Sequence, residues 1–258
     1  MSEEDQKPRI SETEDGSTTL YSPIFDQHYH NPNGAVAESK IVFFETPGLL
    51  KELQNRKHLA IFEMGFGTGL NFILLKNYLE ELQNPPTVDF YSVEAFPVDP
   101  ETAAEFDFGK ELNRHNPGDL LKSIFSDALP GTNRFQISEF LTLNLFIGTF
   151  DESPKPDQTI NYFFHDPFSP DVNAELWTPE VFQRLKTYAD SSATLSTYCA
   201  ASSARAAMAV AGWKIARAPG ALGKREMTLA SLDEKNLGSF KRVNEQRLVE
   251  RYHNGDFD

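Results

Sequence analysis

The chain has 258 residues, of which 40% are hydrophobic and 12% aromatic, a composition that fits one packed domain of ordinary size and excludes a mostly disordered chain. The net charge of −14 argues against non-specific binding of nucleic acid, because such binding depends on Lys and Arg side chains. Residues 201–258, however, hold ten basic against seven acidic side chains. This local excess of positive charge indicates either a binding surface for a polyanion or a solvated helical face. One cysteine excludes an internal disulfide framework.

No apolar run reaches the roughly 18 residues that a membrane-spanning helix needs, and the acidic N-terminus lacks the pattern of a signal peptide. We therefore expect a cytoplasmic protein without a membrane partner.

Composition divides the chain into three predicted parts. Residues 1–18 are polar and are predicted to form a disordered acidic tail. Residues 19–233 are predicted to form the main domain, with an N-terminal extension over 19–57 and a helical insertion over 99–130. Residues 234–258 are predicted to form a C-terminal helical extension.

A strand–helix–strand unit is predicted after the N-terminal extension. HLAIFEM has the composition of a buried strand, and LNFILLKNYLEEL has apolar residues at helical spacing. Pro85 and Pro86 end that helix, and TVDFYSVEA predicts the second strand. Such a unit favours a parallel sheet with covering helices.

Further strands and helices follow in alternation. FQISEFLTLNLFIGTF predicts a hairpin or two short strands, and TINYFFHD predicts a buried strand that ends at Asp166. Thr178 is suited to cap the next helix because Pro179 follows at the first helical position. ATLSTY, WKIARAP and REMTLAS predict three more strands, and SSARAAMAVAG a helix that ends at Gly212.

Three glycines on alternate positions, Gly65, Gly67 and Gly69, follow the first strand of the unit. Glycines at this place let backbone approach a ligand, and the helix N-terminus offers free N–H groups. A dinucleotide loop would need glycine at position 70, where Leu70 stands. Glu63 suits a cationic ligand better than a pyrophosphate. The pattern resembles the first motif of class I S-adenosylmethionine-dependent methyltransferases; a tight turn without a ligand is the alternative.

Two further acidic residues are predicted at strand ends. Glu94 closes the second strand, where a carboxylate can accept hydrogen bonds from both hydroxyls of a ribose. Asp166, Pro167 and Phe168 resemble, in shortened form, the Asp/Asn-Pro-Pro-Tyr/Phe loop of methyltransferases that act on amino groups. Asp166 could orient an amine or take its proton, and the face of Phe168 could lie against developing positive charge. An aspartate that only caps a turn is the alternative.

Other chemistries find little support in the sequence. The six histidines show no paired metal spacing and there is one cysteine, so we predict no metal site. The serines Ser196, Ser202 and Ser203 lack the context of a nucleophile elbow, which argues against hydrolase chemistry. Trp177 either packs at a helix start or contacts the substrate.

Five stretches, between about Phe25 and Leu229, together resemble the MnmC-type tRNA (5-methylaminomethyl-2-thiouridylate) methyltransferase family. They are FDQHYHNPNGAVAESKIVF, FEMGFGTGLN, LPGTNRF, FHDPFSPDVNAELWTPEVF and GKREM. The resemblance implies a Rossmann-like class I α/β fold with a seven-stranded, mostly parallel sheet and helices on both faces. It also implies methyl transfer from S-adenosylmethionine to the 5-aminomethyl group of the wobble uridine in tRNA. The chain resembles the form without the FAD-dependent oxidase of many members, so a separate oxidase or tRNA-modifying complex would supply the amine.

The resemblance also implies roles for single residues. The expected cofactor-binding residues are Tyr29, Glu38, Glu63, Gly65, Gly67, Asn71, Glu94, Thr149 and Asp166. The expected acceptor-side residues are Asp166 and Phe168, as catalytic groups, and Trp177, Lys224 and Arg225, as substrate contacts. The chain departs from the family at Thr149, where relatives tend to carry an aspartate for the adenine amino group, with Asp151 two residues later. It also has Pro167 where the family often has a small residue.

Three other functions stay open from the sequence. The first is a class I methyltransferase for a small-molecule or protein amine, which the acidic composition would suit. The second is an NAD-dependent oxidoreductase, which Leu70 disfavours. The third is an RNA-binding module that keeps the fold without catalysis.

Overall fold

The computed structural model describes residues 8–109, 112 and 116–257. Within them one sheet has nine strands and a second, N-terminal sheet has three. The strands are β1 (Arg9–Glu12), β2 (Thr18–Ser22), β3 (Gln27–His28), β4 (His58–Met64), β5 (Thr87–Glu94), β6 (Gly131–Gln136), β7 (Leu141–Ile147), β8 (Ile160–His165), β9 (Ala189–Thr197), β10 (Lys214–Ala218), β11 (Met227–Ser231) and β12 (Lys241–Arg242).

The helices cover the large sheet. The α-helices are α1 (Ala35–Ser39), α2 (Leu49–Asn55), α3 (Leu70–Glu81), α4 (Pro100–Ala104), α5 (Pro117–Asp127), α6 (Pro179–Tyr188), α7 (Ser202–Val210) and α8 (Glu245–His253). A π-helical segment, Lys40–Glu45, continues α1 directly, and 3-10 turns lie at Phe150–Glu152, Ala174–Trp177 and Glu234–Leu237.

The strand order of the large sheet is β12-β10-β11-β9-β8-β4-β5-β7-β6. The five strands from β9 to β7 are parallel, whereas the pairs at both edges are antiparallel. The predicted count of seven strands is wrong, because the sheet has nine. β12 has two residues, too few for an alternating pattern, and β6 is a half-exposed edge strand with few apolar side chains.

Two apolar clusters lie on opposite faces of the sheet, because successive side chains of a strand point to opposite sides. Along β4, Leu59 and Ile61 belong to one cluster, and Ala60, Phe62 and Met64 to the other. Helices α2, α3 and α5 contribute to the first cluster and α6 and α7 to the second. The arrangement confirms the predicted α/β fold with helices on both faces.

The N-terminal segment is more ordered than predicted. Arg9–Glu12 pairs antiparallel with β2, so the prediction of disorder is wrong for this part of the tail. In the turn that follows, the hydroxyls of Thr13 and Ser17 both donate to Asp15. Polar side chains that satisfy one another can order a turn whose composition alone predicts disorder. Residues 1–7 lie outside the described residues.

The predicted helix boundaries near the site are confirmed. Helix α3 begins directly after Gly69, and Thr178 caps α6 by accepting a 3.4 Å hydrogen bond from the Val181 N–H. Helices α4 and α5 fall within the predicted insertion, and α8 falls within the predicted C-terminal extension. The domain boundaries themselves stay predictions.

Candidate active site

The carboxyl ends of the parallel strands meet at one edge of the sheet and border a cavity of about 740 Å³. This edge is where open α/β sheets bind ligands. The predicted site residues that line the cavity are Tyr29, Glu38, Gly65, Gly67, Glu94, Thr149, Asp166, Phe168 and Lys224. They come from strand ends, from the N-terminal segment and from the loop before β11.

A hydrogen-bond network lies behind the glycine loop. The Asn71 Nδ2 group donates to Glu63 Oε1 and to Asp166 Oδ2, both at 3.0 Å. The Ser92 hydroxyl donates to Glu63 Oε2 at 3.0 Å. Glu63 and Asn71 are buried, and Asn71 Oδ1 has no hydrogen-bond partner. Neither Glu63 nor Asn71 lines the cavity, so this network lies within the wall and holds the Asp166 carboxylate from behind.

Glu94 is held by backbone N–H groups. Its Oε2 accepts a 2.7 Å hydrogen bond from Gly67, and its Oε1 accepts a 2.8 Å bond from Phe96. Gly67 has a φ of +56°, in the left-handed region that glycine adopts without strain. The carboxylate therefore has a fixed orientation and still has free lone pairs for ligand hydroxyls.

Two side chains hold the loop that carries Asp166, and one of them, Tyr198, itself lines the cavity. The Trp177 indole N–H donates to the carbonyl of Phe168 at 2.9 Å, and the Tyr198 hydroxyl donates to the carbonyl of Pro167 at 2.8 Å. Trp177 is buried and does not line the cavity. A direct substrate contact would require Trp177 in the cavity wall. Its indole instead supports the loop that carries Asp166.

The N-terminal segment forms part of the cavity wall and packs directly on the loop after β8. The Phe25 ring stacks on Phe168 with ring centres 4.5 Å apart, and Tyr29 meets Phe168 edge to face at 4.9 Å. Gln27 donates from Nε2 to the Ser169 hydroxyl at 2.7 Å. These contacts hold the extension against the loop after β8.

The two basic residues of the KREM stretch differ in position. Lys224 lines the cavity, and its Nζ lies 2.6 Å from Glu38 Oε1. Arg225 is exposed and does not line the cavity. The sequence predicted the same role for both residues, as substrate contacts, whereas the structure places only Lys224 in the cavity wall.

The region after β7 offers two acceptors for an adenine amino group. The Thr149 hydroxyl already donates to Glu152 Oε2 at 2.8 Å, in a capping box of the following 3-10 turn. Asp151 also lines the cavity, and its side chain is largely exposed. The carboxylate of Asp151 is therefore the better placed acceptor.

Comparison with known proteins identifies the group to which the chain belongs. Residues 115–233 match the sequence profile of a family described as S-adenosyl-L-methionine-dependent methyltransferase. The chain is 36% identical, over 82% of its length, to the tRNA 5-methylaminomethyl-2-thiouridine biosynthesis bifunctional protein MnmC of Cupriavidus metallidurans, and 32% identical over 86% to that of Leptospira interrogans. It covers 32% and 35% of these proteins, so the chain spans about a third of the length of the curated relatives.

A solved structure supports the same assignment. The crystal structure of MnmC2 from Aquifex aeolicus has a TM-score of 0.74 and 26% identity, and the match covers 97% of this chain and 77% of that one. The chain belongs to the S-adenosyl-L-methionine-dependent methyltransferases. The resemblance to MnmC-type methyltransferases is confirmed, and the cofactor of this methyltransferase is S-adenosylmethionine rather than a nicotinamide dinucleotide.

The charges of the methyltransferase site fit a cationic cofactor. Burial raises the pKa of Glu63, Glu94 and Asp166 above their usual range. The negative charge of Glu38 raises the pKa of Asp166 further, whereas the hydrogen bond from Asn71 lowers it. Several carboxyl groups that lack enough positive partners favour a ligand that carries positive charge, as the sulfonium and ammonium groups of S-adenosylmethionine do.

The raised pKa of Glu63 predicts a pH-dependent stability for the methyltransferase. A carboxyl group with a higher pKa in the folded chain stabilises it fully below the unfolded pKa of about 4, and this contribution is lost as the pH rises through the folded pKa. Without cofactor, Glu63→Gln should therefore gain stability over the wild type as the pH rises, by up to about 1.4 kcal/mol per pH unit. Urea unfolding of both proteins across pH 4–8 measures the difference; a constant difference would contradict the raised pKa.

Some residues that line the site were not predicted. Phe25 and Gln27 line the cavity and lie in a stretch that carries the family resemblance, but nothing in their residue types indicated a place in the site. Tyr198 directly follows β9, so the parallel topology could have placed it at the same edge as Glu94 and Asp166. The strand end is thus a signal that was used for Glu94 and Asp166 but not, at β9, for Tyr198.

Among the described residues, no group of three or more His, Cys, Asp or Glu side chains is arranged to hold a metal ion. None of the described helices is both long and apolar enough to cross a membrane.

Proposed function

We propose that this methyltransferase transfers a methyl group from S-adenosylmethionine to the 5-aminomethyl group of the wobble uridine in tRNA, giving 5-methylaminomethyl-(2-thio)uridine. The names of the similar proteins, which concern tRNA 5-methylaminomethyl-2-thiouridine biosynthesis, support this substrate. The observation that carries the proposal is the carboxylate of Asp166, which faces a large cavity and is held by Asn71 at 3.0 Å.

The cofactor would lie along the carboxyl ends of β4, β5 and β7. Glu63 and Asn71 would hold its methionine portion together with the backbone of Gly65 and Gly67, and Tyr29 would close over it. The hydrogen bonds of Asn71 support this assignment, because they join Glu63, beside the glycine loop, to Asp166, which lines the cavity.

The nucleoside portion of the cofactor would lie beside β5 and β7. Glu94 would accept hydrogen bonds from the ribose hydroxyls, which its fixed orientation supports. Asp151, beside Thr149, would accept the hydrogen bond of the adenine amino group. The largely exposed carboxylate of Asp151 supports this choice.

Asp166 would act on the acceptor amine. An amine reacts through its neutral lone pair, so the acceptor must lose a proton before or during transfer. When bound, S-adenosylmethionine supplies a methyl group that bonds to the amine nitrogen as the carbon–sulfur bond breaks and its electron pair stays on sulfur. Asp166 would accept a hydrogen bond from the amine and take its proton, and the raised pKa of Asp166 favours that step.

The neighbours of Asp166 would orient the acceptor. The face of Phe168 would lie against the positive charge that develops on nitrogen. Trp177 would act indirectly, because its indole holds the Phe168 carbonyl. Arg225, which is exposed beside the cavity, would contact the phosphate backbone of the tRNA.

The acceptor amine must come from another reaction. We propose that a separate FAD-dependent oxidase or tRNA-modifying complex exposes the 5-aminomethyl group, and that the methyltransferase acts in the cytoplasm, where tRNA is modified. The names of the similar proteins describe them as bifunctional, which supports a second reaction on the same tRNA.

A transfer assay tests the proposed acceptor. Purified protein is incubated with methyl-labelled S-adenosylmethionine and tRNA that carries 5-aminomethyluridine, with the same tRNA carrying unmodified uridine as control. Label should enter only the aminomethylated tRNA, and mass spectrometry of the nucleosides should find a gain of one methyl group. Absence of label, with cofactor binding intact, would refute this acceptor. Activity that survives ribonuclease treatment would instead support a small-molecule or protein amine.

A further inference from the structure

A short ion pair in the cavity wall holds a primary ammonium group beside the loop that carries Asp166. Lys224 Nζ lies 2.6 Å from Glu38 Oε1 and 5.3 Å from the centre of the Tyr198 ring. Glu38, Lys224, Tyr198 and Asp166 all line the cavity. A carboxylate and an aromatic face are the groups with which proteins hold alkylammonium ions.

The carboxylate and the ring are fixed more firmly than the ammonium group. Glu38 is buried and also accepts a 3.3 Å hydrogen bond from Asn31 Nδ2. Tyr198 is tied through its hydroxyl to the Pro167 carbonyl. The Lys224 side chain is 42% exposed and lies in the loop between β10 and β11, so it can turn toward solvent while its partners stay in place.

We propose that Glu38 and Tyr198 form the subsite for the primary ammonium group of the acceptor, and that Lys224 occupies this subsite until the acceptor enters. The inference rests on the proposed function, in which the acceptor carries a primary alkylamine of the same chemical class as the lysine side chain. The incoming ammonium group exchanges with Lys224 for the same carboxylate, so the charge of the subsite stays balanced. The subsite thereby selects an aminomethyl group over uncharged substituents.

The exchange assigns Glu38 to the acceptor instead of the cofactor. It also gives Lys224 and Arg225 different roles. Lys224 competes with the acceptor and Arg225 attracts the RNA, so removing the two charges should change KM in opposite directions. This difference makes Arg225→Met the matched control for Lys224→Met, since both substitutions remove one positive charge from the same stretch.

The first experiment measures KM for tRNA carrying 5-aminomethyluridine. Lys224→Met should lower KM by about threefold, because the acceptor no longer has to displace a partly exposed ion pair. Arg225→Met should raise KM, with a weaker dependence on salt. The Kd of S-adenosylmethionine should stay within about twofold of the wild type in both variants. An unchanged or raised KM in Lys224→Met would overturn the proposal.

A binding experiment tests the subsite even if no tRNA is methylated. Calorimetry with the nucleoside 5-aminomethyluridine, in the presence of S-adenosylhomocysteine, should give tighter binding to Lys224→Met than to the wild type and at least about tenfold weaker binding to Glu38→Gln. Urea unfolding of each variant establishes that it is folded. Equal binding to all three proteins, or a loss of cofactor affinity in Glu38→Gln, would show that the ammonium subsite is not there.

Discussion

Replacing Asp166 by alanine should lower kcat for methyl transfer by about 10²- to 10³-fold, while the Kd of S-adenosylmethionine changes by less than about threefold. The carboxylate faces the cavity and is held by Asn71, so its removal takes away the group proposed to accept the proton of the amine. The cofactor loop keeps its own bond, because Asn71 also donates to Glu63. Single-turnover transfer at saturating cofactor and calorimetry measure the two quantities separately.

Two further variants sharpen this experiment. Asp171→Ala removes an exposed carboxylate from the same loop and should leave kcat near the wild-type value. Asp166→Asn keeps the shape and the acceptor oxygen but cannot take a proton, so a loss as large as that in Asp166→Ala would assign proton acceptance to the carboxylate. If kcat is unchanged in both Asp166 variants, or if kcat falls only in step with cofactor affinity, Asp166 does not act on the acceptor.

The sequence allowed prediction of those parts of the site that lie at the ends of parallel strands. The glycine loop, Glu94 and Asp166 each follow a strand with a strong apolar pattern, and parallel topology brings such ends to one edge. The α/β fold follows from the same alternation of strands and helices. For these residues the local pattern and the global topology agree, which is why the prediction needed no tertiary information.

The remaining features depend on contacts between distant parts of the chain. Lys224 pairs with Glu38 across 186 positions of sequence, and no local pattern indicates that its side chain turns into the cavity. The direction of Trp177 depends likewise on the fold, because its partner carbonyl lies in a loop. The edge strand β12 is too short for a periodic pattern, and the turn between β1 and β2 is ordered by polar contacts that composition cannot distinguish from disorder.

Replacing Gly67 by alanine should raise the Kd of S-adenosylmethionine by about tenfold or more while kcat at saturating cofactor changes little. A Cβ atom at this position would lie 3.1 Å from Cδ1 of Tyr29, closer than ordinary contact allows. The Tyr29 ring packs edge to face on Phe168, so a shift of the ring would disturb this contact. The backbone N–H of Gly67 would also shift from Glu94, its 2.7 Å partner.

Gly48→Ala is the matched control, because it imposes the same backbone cost without contact with the site. Gly48 has a φ of +78°, and a Cβ atom there would meet no heavy atom within 4 Å. Both substitutions should lower the free energy of unfolding by about 1 kcal/mol, since alanine tolerates a positive φ poorly. Only Gly67→Ala should also weaken cofactor binding, because only at position 67 does the added methyl group press on a residue of the cavity wall, Tyr29. Equal cofactor affinity in Gly67→Ala and the wild type would mean that the glycine loop does not approach the ligand, and the assignment of the methionine portion to this loop would be wrong.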